Sequence, residues 1–487
     1  MNYLSFDLGT TRIKTSLFND DGDVIYASEN NSSIYNDHGI YQNPDDYLNL
    51  IISDILKIKR INPKEFLEIE YMITSGQMGG TLGIDEDLNV VIPWTYSVDS
   101  RYLECVYNFE SKFGKEIREK SGGPPTIAGK IAWIKKAFPK KYKKVSKFIN
   151  LMCYISLKLC DLKIKDAFID CTCLSMSGIA DILKLRWDNQ LCEKTGIDIE
   201  KLPKIYLPFE EVGVISRNKF NTKKNIKVFA GCGDQIAGFI GAGVVNNNNI
   251  IDVSGTYNLI GLCCDKFLGD SRFNVFHSIY TGIKNIYYQL AVISAGGHTF
   301  DWFIKNFNYK SKSKIDDYRI PSNLFLTPYL GGRYSPTQPY FKGSFLNLEW
   351  KNNLDDMYIS LLESSGYEIN NFIDMLCKLN NLARNNFKEI KVIGSGAENM
   401  VENFTKANIL NLRYLILKKR PYENIGTFII AKYKDKIIDG VSDLVSKGII
   451  RTEATIHPNK LKVKEFSQNI LKYNKIVNTL ADLYVYI

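Results

Sequence analysis

Two acidic residues, Asp7 and Asp234, stand where a carboxylate could take part in phosphate chemistry. Asp7 ends an apolar run and is followed by a glycine and two threonines in the stretch FDLGTT. A plain hairpin turn would explain Gly9 but not the hydroxyls of Thr10 and Thr11. A carboxylate at a strand end can hold hydrated Mg²⁺ near phosphate groups, because Mg²⁺ prefers hard oxygen ligands. Asp7 is therefore a candidate magnesium ligand.

Asp234 follows the apolar stretch KVFAG in GCGDQIAG, at the start of a predicted helix. It could be an N-cap residue, which stabilises a helix by about 1 kcal/mol and would lower the pKa of the carboxyl group. It could equally be a general base that accepts a proton from a hydroxyl attacking a γ-phosphate. Position in the sequence does not separate the two interpretations.

Three glycine-containing turns follow predicted strands, at residues 7–11, 254–256 and 394–399. Successive backbone N–H groups in such turns form anion-binding concavities, and glycine lets a phosphate approach the backbone. Each turn alone is weak evidence, but the three together predict a nucleotide-binding cleft.

Two common nucleotide motifs are excluded. The stretch GGPPTIAGKI resembles a P-loop, but Pro124 replaces a required glycine and Ile131 replaces Ser or Thr. The stretch GCGDQI lacks the third glycine of a Rossmann fingerprint.

The order of predicted elements indicates two related halves. Short β-rich runs alternate with amphipathic helices up to about residue 245, and NIIDVSGTYNLIGLC at 249–263 then repeats the opening strand, turn and strand. We expect an α/β fold with two domains, 1–245 and 246–487, that face each other across a cleft. The opening hairpin predicts mixed sheets rather than purely parallel ones. Residues from about Leu461 to Tyr484 are predicted to form a terminal helix.

Composition narrows the class of protein. A chain of 487 residues is too long for one core, and its net charge of +9 comes largely from local lysine clusters typical of solvated helix faces. The ten cysteines include no C-x-x-C pair, and the four histidines are far apart, which favours reduced thiols in a cytoplasmic protein. No apolar run approaches the ~20 residues of a membrane span, and no secretory signal is recognised. We expect no nucleic-acid or membrane partner.

Several motifs, in order along the chain, resemble those of the FGGY carbohydrate kinases, which are ATP-dependent sugar kinases of the actin-like ATPase superfamily. FDLGTT and DVSGTYN resemble the two phosphate loops, and VIGSGAEN resembles the adenosine loop. ITSGQMGG is similar to the sugar-contacting loop of xylulose kinases, and AGCGDQIAG to the loop that carries the catalytic aspartate. QNPDDY, PPTIAGKIAWIKK and TPYLGGRYSPTQPYFKGSFLNL resemble further family segments, and we interpret Lys130 and Trp133 in the second as helix-packing residues.

The resemblance implies two actin-like (ribonuclease H-like) domains and phosphorylation of a sugar hydroxyl with ATP and Mg²⁺. It implies that Asp234 is the base and that Asp7 faces Mg²⁺. The residues implied for the nucleotide are Asp7, Gly9, Thr10, Thr11, Gly255, Thr256, Gly297, Gly394, Gly396 and Asn399. Those implied for the sugar are Gln77, Met78, Gly79, Asp99, Arg101, Asp234 and Gln235. A homodimer is a family expectation.

The sequence departs from the family mainly around the substrate. Gly79 replaces a histidine of xylulose kinases, and WTYSVDSR is longer than their segment, as in the autoinducer-2 kinase branch. Asp99 and Arg101 could contact sugar hydroxyls or form an ordinary surface ion pair. Tyr257 replaces a small hydroxyl residue, and Phe428 replaces an alanine, where it could crowd the nucleotide or simply repack.

The favoured hypothesis is a kinase of a ketose such as xylulose. One alternative is an autoinducer-2-type or other polyol or sugar kinase of the same family. Another is a non-catalytic, sugar-sensing relative that keeps the fold without turnover. An actin-like chaperone ATPase is disfavoured, because it would lack the SGQMGG and AGCGDQIAG loops.

Overall fold

A computed structural model describes residues 1–35, 41–95, 99–255, 257–312, 318 and 320–486. Two seven-stranded mixed sheets organise these residues. The first sheet has the order β3 (Val24–Asn31), β2 (Arg12–Phe18), β1 (Asn2–Leu8), β4 (Ile69–Gly76), β13 (Ile226–Phe229) and β12 (Glu211–Ile215), with β14 (Cys232–Gly233) also paired to β4. The second has the order β17 (His277–Tyr280), β18 (Tyr287–Ile293), β16 (Asn258–Cys264), β15 (Ile250–Ser254), β21 (Glu389–Ile393), β22 (Arg413–Leu417) and β23 (Thr452–Ile456).

The two sheets repeat one local arrangement. Strand β1 runs antiparallel to β2 and parallel to β4, and β15 likewise runs antiparallel to β16 and parallel to β21. In each sheet a glycine-containing turn connects the antiparallel pair. The prediction of a two-domain α/β fold with mixed sheets is confirmed.

Smaller sheets and the helices surround these two layers. The small sheets are formed by β5 (Thr81–Ile84), β6 (Val90–Thr95) and β7 (Lys147–Ile149); by β8 (Phe168–Asp170) and β11 (Lys204–Tyr206); by β9 (Ala180–Asp181) and β10 (Arg186–Trp187); and by β19 (Phe325–Thr327) and β20 (Ser344–Leu346). The helices are α1 (Pro44–Ile61), α2 (Pro63–Leu67), α3 (Leu103–Ser121), α4 (Thr126–Ala137), α5 (Pro139–Lys144), α6 (Leu151–Leu159), α7 (Asn189–Thr195), α8 (Arg217–Phe220), α9 (Asp234–Gly241), α10 (Gly297–Asn306), α11 (Leu354–Asn380), α12 (Met400–Leu410), α13 (Tyr422–Tyr433), α14 (Ile437–Ser446) and α15 (Lys460–Leu483). Within the described ranges, no helix combines the length and apolar character that a bilayer crossing requires.

Helix α13, from late in the chain, packs against α9 and against β1 and β4 of the first sheet. The two helices cross with backbone against backbone: a Cβ atom on Gly241 would overlap the carbonyl oxygen of Tyr422, and one on Gly426 would overlap that of Ala237. Only glycine fits at these two positions, because the approach leaves no volume for a methyl group.

Phe428 lies in the core formed by this crossing. Its side chain is fully buried, with ring centroids 5.1 Å from Tyr3 and 5.0 Å from Phe18. Beside it, the hydroxyls of Thr427 and Ser5 are 2.6 Å apart. Of the two interpretations left open by the sequence, the structure supports repacking.

We expect Gly426→Ala to destabilise the protein by about 1–3 kcal/mol or more, because the added methyl group overpacks the crossing. Equilibrium unfolding in denaturant measures the change. Gly114→Ala is the matched control: it lies inside α3 with its nearest neighbour 3.8 Å away. That change should stabilise by up to about 1 kcal/mol, since alanine has the higher helix propensity. Equal stability of Gly426→Ala and the native protein would contradict the tight crossing.

Candidate active site

A cavity of about 210 Å³ lies where the first glycine-containing turn meets the start of α9. The lining residues come from the first sheet and the turn after β1, from α9, from β15 and β21 of the second sheet, and from α13. The lining residues are Asp7, Gly9, Thr11, Arg12, Lys14, Asp234, Gln235, Gly238, Phe239, Val253, Ile393 and Glu423. Five residues predicted for the site are thus brought together: Asp7, Gly9, Thr11, Asp234 and Gln235. We call this space the catalytic cavity.

Asp7 lies next to the end of β1 and is buried. Its Oδ1 accepts a hydrogen bond from the Ser75 hydroxyl at 2.9 Å, and its Oδ2 is 3.6 Å from Lys14 Nζ. Lys14 Nζ also donates to Glu423 Oε2 at 3.0 Å. Burial and the charge of Glu423 raise the pKa of Asp7, while Lys14 opposes this shift. Burial would lower the pKa of Lys14, but Glu423 and Asp7 raise it, so the ammonium group stays charged.

Asp234 is the first residue of α9, and Gly233 takes the N-cap position. The Asp234 side chain accepts only the adjacent N–H of Gln235, at 2.8 Å, among the hydrogen bonds of the described residues. Burial, followed by the negative charge of Asp7, raises the pKa of Asp234 to about 7, against the opposing effects of that N–H and Lys14. The direction is opposite to the lowering expected for an N-cap carboxylate. A carboxyl group with this pKa can accept a proton at neutral pH.

A buried network of amide and phenol groups supports the backbone of the first glycine-containing turn. The Tyr47 hydroxyl donates to the Gly9 carbonyl at 3.0 Å, and Gln42 Nε2 donates to the Thr10 carbonyl at 2.8 Å. Gln77 Nε2 donates to both Gln42 Oε1 and the Tyr47 hydroxyl, each at 3.0 Å. The amide of Gln77, predicted to contact sugar, therefore already has protein partners and connects the 76–79 loop to the first turn.

Met78 lies close to the loop that precedes Asp234, whereas Gly79 packs against Met176. Met78 packs directly against Gly233, the residue before Asp234. Gly79 has φ +71°, and a Cβ atom there would lie 2.8 Å from Met176 Cε. A larger residue would need both a strained backbone and a displaced Met176, so this position contributes no side chain to a substrate.

Asp99 and Arg101 form a bidentate ion pair away from the catalytic cavity. Arg101 Nε and Nη2 donate to Asp99 Oδ1 and Oδ2 at 2.9 and 2.8 Å. The guanidinium group is 4.5 Å from the Trp133 ring centroid, and both side chains line a separate cavity of about 440 Å³. Asp99 is only 3% exposed, so the pair differs from an ordinary surface ion pair. Nearby, Lys130 is buried and donates to the Thr95 carbonyl at 3.0 Å.

A larger cavity, of about 550 Å³, lies between the second glycine-containing turn and the first turn of α12. We call it the nucleoside cavity, because it gathers residues predicted for the nucleotide. Its lining residues are Ser254, Gly255, Gly297, Phe300, Asp301, Ile304, Ser311, Lys312, Tyr358, Ser395, Gly396, Glu398, Asn399, Met400, Val401 and Glu402. Four predicted residues, Gly255, Gly297, Gly396 and Asn399, are brought together here.

Two predicted nucleotide residues are placed differently, and a third is not described. Gly394 has φ +96° and packs against the backbone of Ser254, where no Cβ atom would fit, but it does not line the nucleoside cavity. The side chain of Thr10 does not line the catalytic cavity, although its carbonyl belongs to the supporting network. Thr256 lies outside the described residues.

Sequence reasoning missed three charged residues of the catalytic cavity, Arg12, Lys14 and Glu423. Lys14 had a local signal, because a hairpin in this register places it directly opposite Asp7. Glu423 had none, because it reaches the cavity only through the packing of α13.

Comparison with known proteins places the chain in one group. Residues 2–241 and 270–433 match the N-terminal and C-terminal domains of the FGGY family of carbohydrate kinases. The chain is 24% identical to a xylulose kinase of Bacillus subtilis over 99% of this chain and 95% of that protein. It is 22% identical to a gluconokinase of the same organism over 91% of this chain and 90% of that protein.

Solved structures agree in fold. A "xyloylose kinase" from Brucella ovis superposes with a TM-score of 0.90 at 19% identity, covering 99% of this chain and all of that one. A gluconate kinase from Lactobacillus acidophilus superposes with a TM-score of 0.87 at 20% identity, covering all of this chain and 99% of that one.

We expect Asp234→Asn to raise the melting temperature of the unliganded protein at pH 8, by roughly 2 °C or more. The folded-state pKa of Asp234 is raised, so ionisation destabilises the folded state progressively as pH rises from about 4 to 7. At pH 4 the native side chain is protonated, and the gain should vanish. Thermal unfolding at both pH values measures this. Asp435→Asn, at an exposed site between α13 and α14, is the control and should change neither value. A gain of the same size at pH 4 would contradict the shifted pKa.

Proposed function

Because the chain belongs to the FGGY family of carbohydrate kinases, we propose that it transfers the γ-phosphoryl group of ATP to a hydroxyl of a ketose such as xylulose. The observation that carries this proposal is the shared catalytic cavity of Asp7 and Asp234. It lies beside the nucleoside cavity: Val253 lines the first, and the next two residues, Ser254 and Gly255, line the second. A nucleotide bound in the second cavity would extend its phosphates toward Asp234.

Asp234 is the proposed general base. Its carboxyl group faces the catalytic cavity beside Gln235, and its pKa of about 7 suits proton transfer at neutral pH. The substrate hydroxyl would donate its proton to Asp234 while the oxygen attacks the γ-phosphorus in line with the leaving oxygen. Gln77 and Met78, in the loop beside Gly233, would shape the sugar site with Gln235.

Lys14 and Asp7 are the proposed electrostatic partners of the phosphates. Lys14 Nζ, held between Asp7 and Glu423, is positioned to contact a phosphate oxygen at the cavity. Within the described residues, no group of three or more His, Cys, Asp or Glu side chains could hold a metal ion by itself. The oxygen donor of Asp7 fits Mg²⁺ when phosphate oxygens and water complete the shell, as is usual for this ion. When bound, Mg²⁺ would neutralise charge on the phosphates.

The predicted nucleotide residues that line the two cavities keep their proposed roles. Gly9 and Thr11 line the catalytic cavity, and Gly255, Gly297, Gly396 and Asn399 line the nucleoside cavity. We also propose the domain boundary after residue 245, between the end of α9 at Gly241 and the start of β15 at Ile250.

The ketose is proposed from the resemblance and from the xylulose kinases among the relatives. The gluconokinases among them make aldonates a necessary arm of any substrate test. The non-catalytic alternative loses one supporting feature, since Phe428 is buried in the core between α13 and the first sheet. Tyr257 remains a departure: it is exposed, and its ring lies 5.7 Å from that of Tyr334.

The test is release of ADP from Mg-ATP with a panel of ketoses, polyols, aldonates and the autoinducer-2 precursor. We expect a ketose to stimulate release most strongly. Asp234→Asn should reduce the stimulated rate by about 10²–10⁴-fold, because the base is lost. A flat response across the panel, with ADP binding verified by calorimetry, would overturn the kinase proposal in favour of a sensor. Full stimulation in Asp234→Asn would remove that residue as the base.

Asp7→Asn tests the magnesium role. The amide keeps the shape and the Ser75 contact but removes the charge that attracts the cation. We expect the Mg²⁺ concentration for half-maximal activity to rise by at least tenfold, measured by titration at saturating ATP. Asp23→Asn, an exposed residue in the β2–β3 turn, should leave the titration unchanged. An unaltered Mg²⁺ requirement in Asp7→Asn would contradict its assignment.

A further inference from the structure

The deep wall of the nucleoside cavity carries a buried carboxylate that has no part in the mechanism above. Glu402, in the first turn of α12, is 1% exposed. The other acidic lining residues, Asp301 and Glu398, are exposed at the rim. The other buried lining residues are Ser254, Phe300, Tyr358 and Val401. A buried carboxylate therefore lines a space to which two aromatic side chains contribute.

One oxygen of Glu402 is used by the protein. Oε1 is 2.7 Å from Lys406 Nζ and 3.5 Å from Asn258 Nδ2. No described residue hydrogen-bonds to Oε2. Lys406 Nζ is shared, since it also lies 2.9 Å from Asp252 Oδ2.

The charges of this buried group do not balance among its members. The side chains of Asp252, Glu402 and Lys406 are each at most 1% exposed. Both carboxylates contact the same ammonium group, so two negative charges share one positive charge inside the protein. Burial raises the pKa of Glu402, and Lys406 opposes the shift. A buried carboxylate is stabilised by every hydrogen-bond donor that reaches it, so a donor entering from the cavity would be bound strongly.

We propose that Glu402 determines nucleobase specificity, with Oε2 accepting a hydrogen bond from the exocyclic amino group of adenine. The inference rests on the proposed function, since it assumes that the cavity holds the nucleoside of ATP. Glu402 would repel a phosphate group, so we place the base rather than the phosphates beside it. Phe300, Tyr358 and Ile304 line the same cavity and offer a flat base an apolar surface.

Glutamate at this position discriminates against 6-oxopurines. In adenine the 6-position presents an N–H donor, whereas hypoxanthine presents a carbonyl oxygen that would face Oε2 with like polarity. A site that pairs with a donor strongly disfavours an analogue that lacks it, because its own polar group is left unpaired. We expect ADP to bind at least tenfold more tightly than IDP.

Glu402→Gln should reverse this preference. Lys406 and Asn258 donate toward the present Oε1, so the amide oxygen of glutamine will take that side and its NH₂ group will face the cavity. The change turns an acceptor into a donor at the base. It also leaves Lys406 paired with Asp252 alone, which balances the buried charge, so the variant is expected to fold.

The test is calorimetric titration of the full-length protein with ADP, IDP and 2′-deoxy-ADP, without sugar, so that it does not depend on turnover. We expect the ratio of Kd(IDP) to Kd(ADP) to fall by at least tenfold in Glu402→Gln. Glu389→Gln is the control. It removes an ion pair with Arg413 within the second sheet and outside the nucleoside cavity, so it should keep the native ratio of the two Kd values. Thermal unfolding verifies that each variant is folded.

Equal binding of ADP and IDP by the native protein would overturn the inference even if no variant folds. An unchanged ratio in Glu402→Gln would also overturn it, while leaving the kinase proposal intact. A deficit for 2′-deoxy-ADP that disappears in Glu402→Gln would assign the carboxylate to the ribose and overturn the base contact. Failure of ADP to bind at all would overturn the nucleotide assignment itself.

Discussion

The crossing of α9 and α13 is the constraint on which the rest of the site depends. At Gly241 and Gly426 the two helices meet through their backbones, so their separation is fixed by van der Waals contact rather than by adaptable side chains. Asp234 begins α9 and Glu423 lies in the first turn of α13. The crossing therefore sets the distance between a proposed catalytic group of the first half and a charged group of the second. A looser crossing would change the distances between these charged groups, and therefore the electrostatics of the cleft, even where the fold stayed the same.

The catalytic cavity is rich in negative charge. Asp7, Asp234 and Glu423 line it together with the cations Lys14 and Arg12, and Arg12 is also paired with Glu29. A phosphate group entering such a space is repelled unless it arrives with positive charge of its own. Burial and, after it, the charge of Asp7 raise the pKa of Asp234. Such a cavity repels a metal-bound nucleotide less than a free one, and its crowded carboxylates lower the stability of the empty protein.

The fold was predictable because its signals are local. The opening hairpin, its repeat at 249–263, the start of a helix at Asp234 and the terminal helix α15 are each specified by neighbouring residues. The site was predictable only in part. Gln77 carries a sugar-loop signature, yet its amide is bound to Gln42 and Tyr47, which are distant in sequence. Glu402, Glu423 and the burial of Phe428 depend on how remote helices pack, and no local pattern encodes that.

The position of α13 also bears on how the chain is made. Its apolar face covers Tyr3 and Phe18, among the first residues to be synthesised, yet α13 ends only at Tyr433. At roughly 5–20 residues per second, the ribosome needs on the order of ten to forty seconds after residue 245 to deliver that cover. During this interval the nascent first half has an uncovered apolar surface. The first half therefore completes its apolar packing only after most of the second half has been synthesised.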